Sequence, residues 1–342
     1  MARGKRVFGW VVVILLLAVV ALISAVGWQV VLGPSARKVT DRKFESSPAR
    51  LARGEYLTEA AACFHCHSEH DFTNAEYPIA PGRKGAGWEM PIPELGSMVS
   101  RNITSDPETG LGNWTDDEIA RAIQEGVSRD GSALFPVMPY MNFRNLDDED
   151  LASLIVYLRT VPPVRQVRPK SKLIFPLSIL VKTMPKPIES HTTVARTTPE
   201  ARGEYLVRTV AGCHDCHTPA KQGVPVPGLD LAGGSKFNDP GQNMAPVHSR
   251  NITMDVSGIA HYDEGLFMQT LRTGQIPGRT LTHIMPFSGY KNLTDDDLRD
   301  MWAYLKTVPP VKHRISNTDA KGLCPLCGEV HGLGDKNAAK AP

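Results

Sequence analysis

The chain has 342 residues, which is enough for about two domains of ordinary size. Its formal net charge is only +2, and no basic stripe interleaved with aromatic residues is present, so the composition excludes a typical nucleic-acid-binding protein. The 29 glycines and 27 prolines indicate many turns and long loops.

The first 43 residues differ from the rest of the chain. Residues 7–32 contain no charged side chain and follow Arg3, Lys5 and Arg6. A helix of that length would rise about 39 Å, enough to cross a hydrocarbon layer of about 30 Å. The alternative is a cleaved signal peptide, whose apolar region is usually shorter. We therefore expect a short N-terminus, a transmembrane anchor and a linker within residues 1–43, and the basic residues at both ends of the run do not orient the anchor.

The remainder of the chain contains an internal repeat. The paired segments are ARGEYL at 52–57 and 201–206, SRNIT at 100–104 and 249–253, and two related closing stretches at 137–164 and 284–311. We expect two homologous domains at 44–164 and 195–314, joined by a linker at 165–194 and followed by a tail at 315–342.

Each repeat is predicted to be mainly helical. In the closing segments, apolar residues recur with the spacing of one helix face: Leu151, Leu154, Ile155 and Leu158, and then Leu298, Met301, Trp302 and Leu305. Thr115 with Glu118, and Thr294 with Asp297, have the spacing of a capping box. Neither repeat contains a convincing alternating run, so the pattern predicts an all-α fold.

A C-x-x-C-H motif occurs once in each repeat, at 63–67 and 213–217. A thioredoxin-like redox pair would need a βαβ context, and a zinc site would need further ligand pairs; neither pattern is present in the repeats. Haem attachment needs two thiols one helical turn apart and an adjacent imidazole. The motifs therefore predict two covalently bound haem c groups, attached through Cys63, Cys66, Cys213 and Cys216, with His67 and His217 as proximal iron ligands.

Two methionines are the candidates for the sixth iron ligand. Met138 and Met285 occupy the same repeat position, and proline follows each of them. A thioether ligand raises the potential of a haem, which suits electron transfer. His283 is the rival in the second repeat, whereas the first repeat has a proline at the equivalent position.

These motifs together resemble class I c-type cytochromes. The order GEYL, C-x-x-C-H, NIT, TGLGNWTDDEIARAIQEGVSRDG, LFPVMPY and DDEDLASLIVYL is similar to the multihaem cytochrome c subunits of membrane-bound alcohol, gluconate and aldehyde dehydrogenases. That family usually carries three haem motifs, and this chain has two. The resemblance implies an N-terminal transmembrane helix followed by two tandem class I cytochrome c domains.

The resemblance also implies particular contacts around each haem. The first and last helices of each repeat should cross at Gly54 with Tyr157, and at Gly203 with Tyr304. The two SRNIT loops should contact the haem propionates through Arg101, Asn102, Arg250 and Asn251.

The function that follows from the resemblance is electron transfer rather than catalysis. We expect a membrane-anchored carrier between a periplasmic donor, a dehydrogenase, and the respiratory chain, where a terminal oxidase or another cytochrome accepts the electrons. Because thioether attachment takes place in this family on the outer face of the bacterial membrane, the resemblance implies a cytoplasmic N-terminus before the anchor. The haem domains should face the periplasm from the bacterial cytoplasmic membrane, which the chain would cross once. The alternative is a dihaem peroxidase, but such an enzyme needs one open iron position, and both repeats offer the same Met-Pro pair.

Two segments lie outside this scheme. LIFPLSILV at 173–181 predicts either a strap that fills a hydrophobic groove or a contact with the membrane surface or a partner. In the tail, Cys324 and Cys327 form a C-x-x-C without a following histidine, which predicts a disulfide or a zinc site. His331 is a third candidate zinc ligand, and the sequence does not identify a fourth.

Overall fold

Helices form most of the regular structure. The computed structural model describes residues 2–90, 92–188 and 195–338. Its α-helices are α1 (Ala2–Val26), α2 (Gln29–Leu32), α3 (Pro48–Ala60), α4 (Cys63–Cys66), α5 (Asp116–Glu125), α6 (Tyr140–Phe143), α7 (Asp148–Leu158), α8 (Leu177–Leu180), α9 (Pro199–Glu204), α10 (Cys213–His217), α11 (Glu264–Thr273), α12 (Phe287–Tyr290) and α13 (Asp295–Leu305). Helix α9 continues as a π-helical segment over Tyr205–Val210.

The first and last helices of each repeat cross at a glycine. A Cβ atom on Gly54 of α3 would overlap the carbonyl oxygen of Ser153 on α7 and would lie 2.6 Å from the Cβ of Tyr157. A Cβ atom on Gly203 of α9 would likewise overlap the carbonyl of Asp300 on α13. Only a residue without a side chain allows this backbone approach, and the expected crossings are present in both repeats.

The helix ends follow local chemistry. Thr115 accepts a hydrogen bond from the Glu118 backbone N–H (3.1 Å), and the Glu118 carboxylate accepts one from the Thr115 N–H (2.8 Å). This is the predicted capping box. Helix α5 stops at Gly126, which has a φ of +71°. Thr294 caps α13 in the same way by accepting from the Asp297 N–H at 3.1 Å.

Short antiparallel strands lie in the segments between the helices and in the C-terminal tail, so the predicted all-α fold class is wrong. The chain is 38% helical and 12% strand. The strands are β1 (Glu89–Met90), β2 (Gly96–Val99), β3 (Lys172–Leu173), β4 (Ala220–Lys221), β5 (Val224–Pro225), β6 (Lys236–Asp239), β7 (Ala245–His248), β8 (Gln275–Ile276), β9 (Arg279–Thr280), β10 (Ser316–Leu323) and β11 (Val330–Gly332). Most are too short to show an alternating pattern, which is why the sequence did not reveal them.

The N-terminal helix also differs from the expected fold class, which included a transmembrane helix. The predicted apolar helix was to run on to Leu32, but α1 ends at Val26 and Gly27 has a φ of +105°. Across the described residues, no helix combines the length and the apolar character that a membrane crossing requires. The prediction of an N-terminal transmembrane helix is therefore wrong.

The segment between α2 and α3 is held against α5 by buried carboxylates. The Arg37 guanidinium lies 2.6 Å from Asp117 and 2.6 Å from Glu125. The Thr40 backbone N–H also donates to Asp117, at 2.6 Å. Both acidic side chains are almost fully buried, so this arginine compensates charges that water cannot reach.

The linker between the repeats lies on the first repeat. Strand β3 pairs with β2 through Gly96 and Leu173. Of the predicted strap at 173–181, Val181 is buried, whereas Phe175 is 78% exposed. Residues 189–194 of the predicted linker lie outside the described residues.

The C-terminal tail forms its own small hairpin. Strands β10 and β11 pair antiparallel, with Gly322 opposite His331. Cys324 and Cys327 lie in the turn between them and are free thiols, so no disulfide joins them. They pack with Leu229 and Ala232 of the second repeat in a small buried cluster.

Candidate haem centres

Each C-x-x-C-H motif begins directly after a left-handed residue. Ala62 precedes α4 with a φ of 51°, and Gly212 precedes α10 with a φ of 60°. The turn ends the preceding helix and redirects the chain, so that the two thiols of each motif lie one helical turn apart. This spacing suits the two thioether bonds of a c-type haem.

The histidine of each motif is oriented by a backbone carbonyl. His67 Nδ1 lies 2.7 Å from the Arg101 carbonyl oxygen, and His217 Nδ1 lies 2.7 Å from that of Arg250. A carbonyl only accepts, so Nδ1 carries the proton and Nε2 keeps its lone pair for a metal. Burial lowers the pKa of both imidazoles, which favours the neutral form that binds iron.

The surroundings of the four motif cysteines favour uncharged sulfur. Desolvation by the surrounding protein raises the pKa of Cys63 to about 12 and that of Cys66 to about 11, although these side chains keep some accessible surface. The pKa of Cys213 and of Cys216 is raised to about 12, again mainly by desolvation. Uncharged sulfur is compatible with these surroundings, and a thioether is uncharged. The donor set therefore fits covalently attached haem.

The two candidate methionines lie in the same local structure. Met138 and Met285 are both partly buried and pack against the main hydrophobic core. In each repeat, the N–H two residues further on donates to the methionine carbonyl, at 2.7 Å from Tyr140 and 2.8 Å from Phe287. The two repeats thus share the same hydrogen-bonded turn at the methionine, although the residue after the proline is tyrosine in one repeat and phenylalanine in the other.

His283, the rival ligand, lies beside the first repeat. Its ring centroid is 6.2 Å from that of Tyr77 in the first repeat and 5.5 Å from that of Phe287. Both rings meet it edge-on. This aromatic contact gives His283 a packing role, and Met285 stays the predicted ligand, at the repeat position of Met138.

The asparagines of the SRNIT loops are occupied by protein groups. The Asn102 amide donates to the Val164 carbonyl at 2.7 Å, and the Asn251 amide donates to the Val311 carbonyl at 2.7 Å. Each side-chain oxygen accepts from the threonine two residues further on, Thr104 or Thr253. These residues attach each loop to the segment that follows the closing helix.

The arginines of the same loops have different surroundings. Burial, and then the nearby charge of Arg279, lower the pKa of Arg250. Among the described residues, neither Arg250 nor Arg279 forms an ion pair, and Arg101 also has none. A haem propionate at this place would supply the missing negative charge, so propionate binding by Arg101 and Arg250 stays a prediction with a physical reason.

The two motifs face each other through reciprocal contacts. Asn142 on α6 of the first repeat donates to Asp215 inside the second motif, at 2.5 Å. Gly289 on α12 occupies the equivalent repeat position and lies against the Glu59 carbonyl, four residues before Cys63. A Cβ atom on Gly289 would overlap that carbonyl. The second motif, and the helix end that leads into the first motif, are therefore each packed against the helix that follows the methionine of the other repeat.

A second reciprocal pair involves the tyrosines of GEYL. The Tyr205 hydroxyl donates to Asp150 of the first repeat at 2.7 Å, and the Tyr56 hydroxyl donates to Asp297 of the second. Burial, together with the charge of Asp150, raises the pKa of Tyr205 well above its ordinary range. The tyrosines belong to the repeated ARGEYL segments, but nothing in the spacing of the tyrosines and aspartates indicates that they pair across the repeats.

Comparison with known proteins finds similarity to cytochrome c sequences. The cytochrome c family matches residues 51–162. The cytochrome c subunit of the quinone alcohol dehydrogenase of Gluconacetobacter polyoxogenes is 30% identical over 84% of this chain and 61% of that subunit. The fructose dehydrogenase cytochrome subunit of Gluconobacter japonicus is 32% identical, over 84% of this chain and 59% of that subunit.

A shorter relative is covered more completely. The diheme cytochrome c-type protein of Cereibacter sphaeroides is 27% identical over 79% of this chain and 89% of its own length. By contrast, the chain spans about three fifths of the length of the alcohol and fructose dehydrogenase cytochrome subunits. The chain thus contains a cytochrome c domain at residues 51–162 and is similar over most of its length to these cytochrome subunits.

Proposed function

We propose that this chain is a two-haem electron-transfer subunit, which accepts electrons from a partner dehydrogenase and delivers them toward the respiratory chain. The observation that carries the proposal is the reciprocal packing around the two C-x-x-C-H motifs: Asp215 of the second motif accepts from Asn142, and Glu59, in the helix that leads into the first motif, lies against Gly289. This packing holds both motifs at one interface, as two redox centres that exchange electrons require. Bound haem would supply the one-electron change between ferric and ferrous iron.

The protein would supply ligation and a fixed environment. His67 and His217 would each offer a neutral Nε2 to iron, with Nδ1 held by a backbone carbonyl. Met138 and Met285 would close the sixth position. Full coordination disfavours direct reaction with peroxide, which is why we prefer an electron carrier to a dihaem peroxidase.

The partner and the compartment are part of the proposal. The relatives from Gluconacetobacter and Gluconobacter are named as cytochrome subunits of dehydrogenases, which supports a dehydrogenase as the electron donor. Thioether attachment occurs on the outer side of the bacterial cytoplasmic membrane in the family that the sequence resembles. This supports a periplasmic location for both repeats. Protease added to spheroplasts should degrade the haem-stained protein, whereas protection of the protein would contradict the location.

Copurification tests the function. The tagged chain, isolated gently from its own cells, should bring down a dehydrogenase subunit, and the substrate of that enzyme should reduce both haems. The reduced protein should then be reoxidised by membranes that contain a respiratory oxidase. Isolation without a partner, combined with rapid peroxide turnover by the chain alone, would favour the peroxidase instead.

A further inference from the structure

Four metal-binding side chains converge beneath the C-terminal hairpin, away from the C-x-x-C-H motifs in sequence. They are His313, Cys324, Cys327 and His331, and their nearest ligand atoms all lie within 4.8 Å of one another. All four residues are buried, with at most 3% of their surface exposed. The sequence had offered three of them, and the fold adds His313 from the segment after α13.

The spacing of these atoms fits one tetrahedral ion. Cys324 Sγ lies 3.4 Å from His313 Nε2, and Cys327 Sγ lies 3.4 Å from His331 Nε2. Zinc bonds of about 2.3 Å to sulfur and about 2.0 Å to nitrogen place those atoms roughly 3.6 Å apart in a tetrahedron. The side chains therefore need little movement to bind an ion.

Both imidazoles are oriented for ligation through Nε2. His313 Nδ1 lies 3.0 Å from the Ala232 carbonyl, and His331 Nδ1 lies 3.0 Å from the Gly332 carbonyl. Each Nδ1 must therefore donate, so the Nε2 lone pair points toward the sulfurs. The Asn337 amide donates to Cys324 Sγ at 3.4 Å. Such outer hydrogen bonds are typical of built metal sites.

The backbone around the cysteines is shaped for the same purpose. The Gly328 N–H donates to the Cys324 carbonyl at 2.9 Å, and Gly328 has a φ of +80°, which closes the turn that carries both thiols. Gly234 of the second repeat has a φ of +105°, and a Cβ atom there would lie 2.8 Å from the His313 ring. Glycine at this position lets the hairpin close against the repeat.

We propose that His313, Cys324, Cys327 and His331 bind a single structural zinc ion. Two sulfurs and two imidazole nitrogens in a tetrahedron favour zinc. A Rieske-type two-iron cluster has its cysteines on one iron and its histidines on the other, whereas the closest pairs here are mixed. The two thiols lose their protons on binding, and the resulting thiolates neutralise the charge of the ion. Because protein atoms fill all four positions, the site has no place for a substrate.

The ion would fasten the tail to the second repeat. Asn317 of the tail exchanges two hydrogen bonds with the backbone of His248, at 2.9 Å and 3.0 Å. His313 is held by Ala232, and the neighbouring Gly233 donates to the carbonyl of His217 at 2.6 Å. The zinc site thus lies two backbone contacts from the proximal histidine of the second motif. The proposal concerns the tail and does not depend on the electron-transfer role.

Metal analysis and X-ray absorption of the purified full chain test the site. After passage over a chelating resin, we expect one zinc ion per polypeptide chain, with the protein concentration determined by amino-acid analysis. The zinc absorption edge should report two sulfur ligands at about 2.3 Å and two nitrogen ligands at about 2.0 Å. This measurement uses the native protein, so it does not depend on the folding of any variant. A zinc-free protein that does not take up added Zn²⁺, or a zinc ion with only oxygen and nitrogen ligands, would overturn the proposal.

Variants then identify the ligands. Cys327→Ser and His313→Ala should each lower the zinc content at least tenfold. His248→Ala is the matched control, because its ring lies 5.4 Å from that of His331 but offers no ligand atom to the group. It should keep its zinc. Loss of zinc from His248→Ala with retention in His313→Ala would contradict the assignment, as would a tail peptide whose mass is two units low from a Cys324–Cys327 disulfide.

Discussion

The residues that matter most for redox behaviour are the two methionines proposed as sixth iron ligands. Met138 and Met285 share their local backbone and their place against the core. Neither is fixed by a hydrogen bond to its sulfur among the described residues. Their role therefore rests on repeat position and packing, and it is best tested by removing each thioether alone.

Met138→Ala should leave the first haem covalently attached, because the thioethers and His67 are unchanged. Its potential should fall by on the order of 0.1 V or more, since axial ligands set haem potentials over a range of about 0.8 V. Carbon monoxide should bind that haem only. Redox titration and carbon monoxide difference spectra measure both effects. Met141→Ala is the control, because this side chain is 47% exposed and lies three residues further on.

Met285→Ala should have the same effects on the second haem, with little change in the first. His283→Ala should leave both potentials nearly unchanged, because this ring packs between Tyr77 and Phe287. If His283→Ala opens the second haem while Met285→Ala does not, the second repeat has two histidine ligands and the comparison with Met138 is misleading.

Arg37 affects the stability of the fold, because it pairs with the buried carboxylates of Asp117 and Glu125. Burial alone would raise the pKa of Asp117, but hydrogen bonds from Arg37 and Thr40 outweigh burial and hold that pKa below its ordinary value. A lowered folded-state pKa stabilises the protein above the unfolded-state value near 4, and this stability is lost as the pH falls through the lowered pKa.

Arg37→Ala should therefore destabilise the protein near neutral pH, by about 3–5 kcal/mol for a buried pair that loses one partner. It should also move the acid-unfolding midpoint to higher pH, as followed by helical circular dichroism. Arg42→Ala removes a more exposed pair with Asp148 and should shift the midpoint little. An unchanged acid midpoint in the Arg37 variant would mean that Asp117 is not held by this arginine.

At the scale of elements, the helices were predictable and the strands were not. Thr115 and Glu118 lie three residues apart, so the local sequence was enough to predict their capping box. The apolar stripe from Leu151 to Leu158 lies within α7, as its spacing predicted. Strand β1 has only two residues and pairs with β2 through Met90 and Met98. Such pairing depends on where the loops fold back, which no local pattern encodes.

The haem motifs could be predicted from the sequence, whereas the complete metal cluster of the tail could not. Each haem motif is contiguous, so its thiols and imidazole could be identified from five residues. The tail cluster needs His313, which lies 11 residues before Cys324 and reaches it only because the hairpin folds back. The Tyr56 contact with Asp297 spans 241 positions, and only the folded chain brings these residues together.

The crossing of α3 and α7 gives a prediction at this scale. Gly54→Ala would place a methyl group on the Ser153 carbonyl, so the helices must separate. We expect a loss of at least about 1–3 kcal/mol of stability and lower haem incorporation in the first repeat, measured by thermal unfolding and haem content. Gly265→Ala in α11 is the control, since its nearest atom is 3.5 Å away. Equal stability of both variants would contradict the close crossing.

For the whole molecule, the contact between the repeats determines whether the two haem domains behave as one unit. The main core cluster contains residues of both repeats, including Leu57 and Leu206. Around it lie the pairs of Tyr56 with Asp297 and Tyr205 with Asp150. The repeats are therefore joined by packing as well as by the linker.

Tyr205→Phe should weaken the contact between the repeats. The substitution removes the hydrogen bond that the Tyr205 hydroxyl donates to the buried carboxylate of Asp150. We expect a loss of about 1–3 kcal/mol, seen as a lower midpoint of thermal unfolding with unchanged haem content. Tyr262→Phe is the control, since that hydroxyl has no hydrogen bond among the described residues. Equal midpoints for the two variants would mean that the hydroxyl of Tyr205 contributes nothing to the interface.

The reciprocal contacts also have a consequence for ancestry. When residue i contacts residue j and the equivalent of j contacts the equivalent of i, the interface has the isologous form of a two-fold symmetric homodimer. Tyr56, Asp297, Tyr205 and Asp150 satisfy this relation. We infer that the duplication carried the interface of such a dimer into one polypeptide, and we expect this interface to persist without a covalent link between the repeats. A protease site inserted into the linker should cut the chain into halves that still elute together, whereas halves that separate would show that the tether alone joins them.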